Sequence, residues 1–206
     1  MAYTLISTDT ISSAVASVAL SGTIDNTYDI YEVHVGGIQF TTACNRLVIE
    51  FSDNTTNYNL ATTQTAYYGA HYVGDSWEAQ TGVGGWGSMS THNSSVADSA
   101  QSDVGVVLTE AIGVYNETDN FAGVSEANNT ANGIIRLYDP SNTTFHKKYE
   151  SDFECANYQR GAFYVKVAGS INTTSAVEKI RFATNIHTDC TSPTIQAGIF
   201  RLYGVT

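Results

Sequence analysis

The sequence is short of the residues that build surface helices, grip nucleic acid or cross a membrane. Only 4 Lys and 5 Arg stand against 20 acidic side chains among the 206 residues, for a formal charge of −11. With so few long straight-chain residues, extended surface helices have little to be made from. The same imbalance repels phosphate backbones, and no basic cluster exceeds the pair Lys147-Lys148. Nucleic acid is therefore excluded as a partner, and an anionic membrane surface is disfavoured. No stretch approaches the roughly 18 apolar residues of a membrane span. Between Met1 and Leu20 there is no basic residue and no continuous apolar block, unlike a standard secretory signal. Proline occurs twice. The three cysteines, Cys44, Cys155 and Cys190, are too few and too odd in number for a disulfide scaffold. Reduced, partly buried thiols are expected, with one disulfide between two of them as the alternative.

What is present points to strands. The chain carries 26 Thr, 19 Ser, 15 Asn, 17 Gly and 13 Tyr. Thr and Tyr suit a pleated, half-buried surface, while Asn and Gly supply turns that need positive φ. Period-two alternation recurs. Tyr31, Val33 and Val35 alternate with Glu32 and His34, and Leu47, Ile49 and Phe51 with Arg46 and Glu50. Ile135 and Leu137 flank Arg136, Ile180 and Phe182 flank Arg181, and Phe163, Val165 and Val167 alternate with Tyr164 and Lys166. Phe200 and Leu202 alternate with Arg201 and Tyr203, while 104–108 is a short apolar run. A first strand is expected at 11–20. Turn-rich segments at 52–57, 139–142 and 171–174 separate these runs. The pattern predicts one all-β domain over 1–206, an antiparallel two-sheet β-sandwich of jelly-roll-like type with one dry and one wet face per sheet.

The segment 66–101 differs, gathering Tyr67, Tyr68, His71, Tyr72, Trp77 and Trp86 among six Gly. It is too long for an ordinary loop. Strands near 66–73 and 77–80, then a mobile excursion over 82–100, are expected. Tyr67, Tyr68, Tyr72, Trp77 and Trp86 are the candidate ligand or interface residues, since exposed Tyr and Trp serve glycan and protein contacts alike. The alternative is that Trp77 and Trp86 cap the end of the core.

Chemistry is sparse. His34, His71, His92, His146 and His187 have no metal-ligand spacing, so no metal site and no cofactor are expected. Oxygen-rich turns at 53–59 and 116–120 have the ligand type for calcium but not an EF-hand's spacing. The run Gly82-Val83-Gly84-Gly85 lacks the Lys and helix of a phosphate cradle. A glycosidase needs two carboxylates at about 5–9 Å, for which Glu50, Asp75, Glu78 and Glu32 are the available acids. No catalytic residue is assigned, and the chain is not expected to be an enzyme.

Three stretches carry a resemblance, the third in two parts. They are Gly22 to Val33 with Thr27-Tyr28-Asp29-Ile30-Tyr31, Leu137 to Lys147 with Pro140-Ser141 and Thr143-Thr144, and Gly169 to Val177 with Asn172-Thr173-Thr174-Ser175-Ala176-Val177, joined with the ending Ala197 to Val205 with Leu202-Tyr203-Gly204-Val205. Together they resemble a group of virion structural proteins of tailed bacteriophages, marine and cyanobacterial ones especially, over most of the chain except the aromatic middle. The resemblance implies a non-enzymatic component on the virion surface, a capsid decoration protein first, and a tail fibre recognising host glycan as the alternative. Its partners would be itself, as a homo-oligomer and most simply a trimer, and other virion proteins. A secreted carbohydrate-active sandwich with Glu50, Asp75 or Glu78 in one cleft is the rival from another class.

Overall fold

A computed structural model describes residues 1–41, 45–54, 56–71, 91–94, 106–107, 130–157, 161–186 and 194–206. Twelve strands and no helix lie in these ranges. The strands are β1 (Tyr3–Ile11), β2 (Ser17–Ala19), β3 (Ile30–Phe40), β4 (Asn45–Ser52), β5 (Thr62–His71) and β6 (Thr91–Ser94), followed by β7 (Val106–Val107), β8 (Ala131–Tyr138), β9 (Lys147–Asn157), β10 (Gly161–Ile171), β11 (Lys179–Ile186) and β12 (Ile195–Val205).

They form two antiparallel sheets, one ordered β1-β12-β3-β8-β9-β10-β5-β6 and one ordered β2-β11-β4-β7. If β1, β2, β3, β4, β7, β8, β11 and β12 are counted as eight successive strands, the sheets run 1-8-3-6 and 2-7-4-5. That interleaving is the double Greek key of a jelly roll. The remaining four strands widen the first sheet beyond β8. The expected sandwich is therefore present, with one sheet much broader than the other.

The inward rows are those the alternation marks: Tyr31, Val33 and Val35 on β3, Leu47, Ile49 and Phe51 on β4, Ile180 and Phe182 on β11, and Phe200 and Leu202 on β12 are all buried in one core. Phe182 packs on Phe200 across the sheets at 4.6 Å between ring centroids, and Phe51 meets Tyr149 of β9 at 5.5 Å. Burying each such ring contributes roughly 1.5–3 kcal/mol. Cys155 is a buried thiol on β9, and Cys44 and Cys190 lie outside the described residues.

Two strand expectations are corrected and one strand is added. The first strand runs over Tyr3–Ile11, not 11–20, where only Ser17–Ala19 is a strand. The small residues Ser12, Ser13, Ala14 and Ala16 offer no apolar row, and β1 hides its own alternation behind a bulge at Leu5/Ser7. Strand β9 went unpredicted because Lys147 and Ser151 sit in its inward row beside Tyr149, Phe153 and Cys155. Within the expected excursion at 82–100, Thr91–Ser94 is a strand paired with β5; the expected strand at 77–80 lies outside the described residues.

The motif stretches meet at one end of the sandwich. The Tyr31 hydroxyl donates to Asp25 Oδ1 (2.8 Å) and accepts from the Asp25 N–H (3.0 Å). Burial pushes the Tyr31 pKa up to about 12. Asp139, at φ 49°, donates its N–H to the Asp29 carbonyl (2.6 Å), and the Ser141 hydroxyl donates to the Asp25 carbonyl (2.5 Å). An Asp tolerates this left-handed conformation better than most residues. The Pro140 carbonyl accepts from Val177 (2.9 Å), and buried Lys147 donates Nζ to the Thr173 carbonyl (3.2 Å). Tyr28 stands edge-on to Tyr31 at 5.7 Å and covers Gly204, where a Cβ would lie 2.3 Å from the Tyr28 ring. These stretches are thus the parts of one structural corner.

Gly204→Ala is expected to cost about 1–3 kcal/mol, because the ring has to move. The loss is expected to shrink by at least half in a Tyr28→Ala background, measured as urea midpoints in a double-mutant cycle.

Candidate functional site

The outward face of the broad sheet carries the most organised set of polar side chains among the described residues. On β3 the alternation that buries Tyr31, Val33 and Val35 sends Glu32 and His34 to the opposite face. Register then lines up Tyr203, Glu32, Arg136 and Glu150 across β12, β3, β8 and β9. The next outward row runs Arg201, His34, Ile134, Asp152 and Lys166, ending opposite Tyr67 on β5.

Glu32 is the anchor. Although it points away from the core it is only 2 % exposed. Arg136 Nε donates to Glu32 Oε2 and His34 Nε2 to Glu32 Oε1, both at 2.5 Å. A carboxylate this deep persists only when both of its oxygens are satisfied. Arg136 also donates Nη1 to Glu150 Oε1 (3.1 Å), so one guanidinium joins two carboxylates, and these bonds hold its pKa above the ordinary value. The Tyr138 hydroxyl donates to the same Glu150 oxygen (2.6 Å). That bond, followed by Arg136, holds the Glu150 carboxyl below its usual range. Burial, reinforced by Glu150, pushes the Tyr138 pKa up to about 12.

Flanking this ion network, the rings of Tyr3, His34 and Tyr203 form a cluster with centroid separations of 6.2, 6.0 and 4.8 Å. Further along, Asp152 accepts from the Tyr164 hydroxyl (2.5 Å) and pairs with Lys166 (3.3 Å). The face is a charge-compensated, aromatic-edged plate. Its carboxylates Glu32, Glu150 and Asp152 are each engaged by a cation, an arrangement suited to holding shape and docking against a complementary surface.

The other candidates fall elsewhere. Tyr67 and Tyr68 stand on β5 opposite Lys166 and Val165, while Tyr72, Trp77 and Trp86 lie outside the described residues. Asp75 and Glu78 lie outside them too. Glu50 is buried on the outer side of the narrow sheet, where Arg181 Nε donates to it and the Tyr58 ring lies 4.5 Å from the Arg181 guanidinium carbon. Glu32 and Glu50 therefore face opposite surfaces of a sandwich whose layers alone are about 10 Å apart. They cannot act as a two-carboxylate pair. The Asn54 amide oxygen, a calcium-type ligand by chemistry, accepts instead from the Thr56 and Asn57 N–H groups (both 2.9 Å) and closes its turn. The second oxygen-rich turn, at 116–120, and His187 are outside the described residues, and His146 is exposed.

The Glu32, Arg136, Glu150 row was not found from the sequence because its members sit 104 and 14 residues apart. Alternating charge at outward positions was visible strand by strand. Only the register puts opposite signs side by side.

Arg136→Met is expected to destabilise by about 2–4 kcal/mol, below the full range for stranding a buried charge because Arg136 is itself 38 % exposed. Urea unfolding at neutral pH reads it. A second expectation concerns pH. With its folded pKa lowered, Glu150 contributes stability that is complete above its unfolded pKa, about 4.3, and is lost as pH falls through the lower folded value. Tyr138, raised, contributes stability that is complete below about 10 and is lost as pH climbs through about 12. Glu150→Gln should flatten the acid limb of the stability profile, and Tyr138→Phe should flatten the alkaline limb.

No family model, no curated protein and no solved structure matches this chain.

Proposed function

We propose that the chain is a non-enzymatic structural protein of the tailed-bacteriophage virion surface, a capsid decoration protein that works as a homo-oligomer docked on other virion proteins. The observation that carries this reading is the broad sheet's outer plate, in which Glu32, Glu150 and Asp152 are each held by a cation and framed by Tyr3, Tyr203 and Tyr164. Groups tied up in this way give a fixed pattern of charge and shape, which is what recognition of a rigid neighbour uses. The scarcity of lysine agrees with a surface meant to be covered, since lysine is depleted at interfaces. The motif stretches support the reading from the fold side. They build a corner where four parts of the jelly roll meet, so proteins sharing them would share that part of a scaffold.

Quantitative mass spectrometry of gradient-purified particles tests this. The expected result is the protein at a copy number comparable with the major capsid protein, together with no binding on a glycan array. Absence from the particles would overturn it. A few copies per particle, with glycan binding lost in Trp77→Ala or Trp86→Ala, would replace decoration by the tail-fibre role. Light scattering gives the copy number, three being the expectation from the family resemblance.

A further inference from the structure

Among the described residues strand β1 ends the broad sheet, and the side it turns away from β12 has unusual properties. Proteins defend such edges with Lys, Pro or short strands. This one is nine residues long, Tyr-Thr-Leu-Ile-Ser-Thr-Asp-Thr-Ile, and holds no Lys, Arg or Pro. Five large hydrophobic side chains are exposed among the described residues, and three of them are Met1, Tyr3 and Leu5. Leu5 is 54 % exposed and Tyr3 48 %, on the same face as Tyr203 and His34. An apolar cluster beside an open row of backbone donors and acceptors is a site for adding a strand.

The hydrogen-bond phase identifies which groups are open. Ala2 and Thr206 exchange both backbone bonds, at 2.8 and 3.1 Å. Antiparallel alternation therefore turns the N–H and C=O of Tyr3 and Leu5 away from β12. The bulge, where Ile6 is the extra residue between Leu5↔Tyr203 and Ser7↔Leu202, then shifts the phase by one. Beyond it Thr8 and Thr10, opposite Arg201 and Ile199, hold the open groups.

We propose that β1 pairs antiparallel with β1 of a second copy of this chain, about a two-fold axis passing between Ile6 and Ser7. A second copy is the fitting occupant because the edge is complementary to itself in only one full-length register. With residue i opposite 13 − i, Tyr3 faces the other copy's Thr10 and Leu5 its Thr8. All of these are outward residues with open backbone groups, so face and hydrogen-bond phase match on both sides of the bulge. Every other register that keeps the faces matched sets open groups against groups already used by β12 on one side of the bulge. The pairing also places Asp9, the strand's sole charge, against Thr4 rather than against its own copy. The broad sheets of two molecules become one continuous sheet, with the Tyr3, Tyr203 and His34 clusters brought to the seam. This deepens the homo-oligomeric reading above and rests on it only for the premise that copies associate.

Two measurements on the full chain test it. The first is light scattering over a concentration series. The native chain is expected to have an even-numbered mass, that of a pair or of two of the trimers implied by the resemblance joined through β1, and Leu5→Lys, at an exposed position, should weaken association about 100-fold because the change acts twice across the axis. Its thermal midpoint, taken at high dilution, should match that of the diluted native chain. The second is cross-linking by mild oxidation. Leu5→Cys with Thr8→Cys should join two chains, giving doubled mass on a non-reducing gel beyond the native background. Neither single variant should do so, because like positions then lie about 10 Å apart, past the roughly 7 Å limit for a disulfide. A monomer at every concentration, an oligomer that Leu5→Lys leaves intact, or equal cross-linking by a single variant overturns the pairing. A trimer insensitive to Leu5→Lys but abundant in particles would overturn the pairing alone and leave the virion role standing.

Discussion

The packing of a broad sheet against a narrow one is the constraint from which the rest of this structure follows. Phe182 on Phe200 and Phe51 on Tyr149 close the gap between the layers, and the jelly-roll order brings β12, β3 and β8 under β11 and β4 to do it. Four strands cannot cover eight. The narrow sheet in any case covers only the inward side, so the outward side of the broad sheet is satisfied by other means, and Glu32 is where this is most evident. Its carboxylate is nearly inaccessible yet lies on the face away from the core, because Arg136 and His34 close over it. In effect the ion network serves as a thin polar cover over the centre of the sheet. A polar cover of this kind rigidifies only while each member is satisfied, since a half-satisfied one would be worse than an apolar surface.

That cover and the corner built by Tyr28, Tyr31, Asp139 and Gly204 divide the labour. The corner fixes how turns from four distant parts of the chain meet, and it uses groups that are consumed internally: a phenol on a carboxylate, a carbonyl under a proline turn, a glycine beneath a ring. The plate fixes what the molecule presents outward. Residues of the first kind are where structural relatives would be expected to agree. Residues of the second kind are where partners would be told apart, so motif resemblance speaks to scaffold more than to partner.

Much of the fold was legible in the sequence because period-two alternation is a local signal. Val33 against His34, Ile49 against Glu50 and Leu202 against Tyr203 each announce a half-buried strand without knowledge of its neighbours. Where the inward row is itself polar the signal fails, as with Lys147 and Ser151 on β9. Where a bulge resets the parity it also fails, as between Leu5 and Ser7 on β1. The candidate plate was not legible for a different reason. It is a property of register, and register joins Glu32 to Arg136 across 104 residues that no local pattern spans. The aromatic residues Tyr67 and Tyr68 could be read as a cluster in the sequence, yet on a strand their successive positions belong to different faces.

The charge balance bears on how such molecules could come together. Two copies at −11 each repel at long range, so association needs a contact that is short-ranged and nearly neutral. The β1 edge meets that need: one acid in nine residues, backbone groups that bond without net charge, and Leu5 and Tyr3 available for burial. At a physiological screening length of about 8 Å, acidic groups elsewhere on the surface act weakly across the seam, while the strand bonds, at about 3 Å, are not screened. Repulsion of that kind disfavours loose, non-specific clustering more than it disfavours a registered pair. For a strongly acidic chain, an edge such as β1, with one acid in nine residues, favours a registered pair over loose clustering.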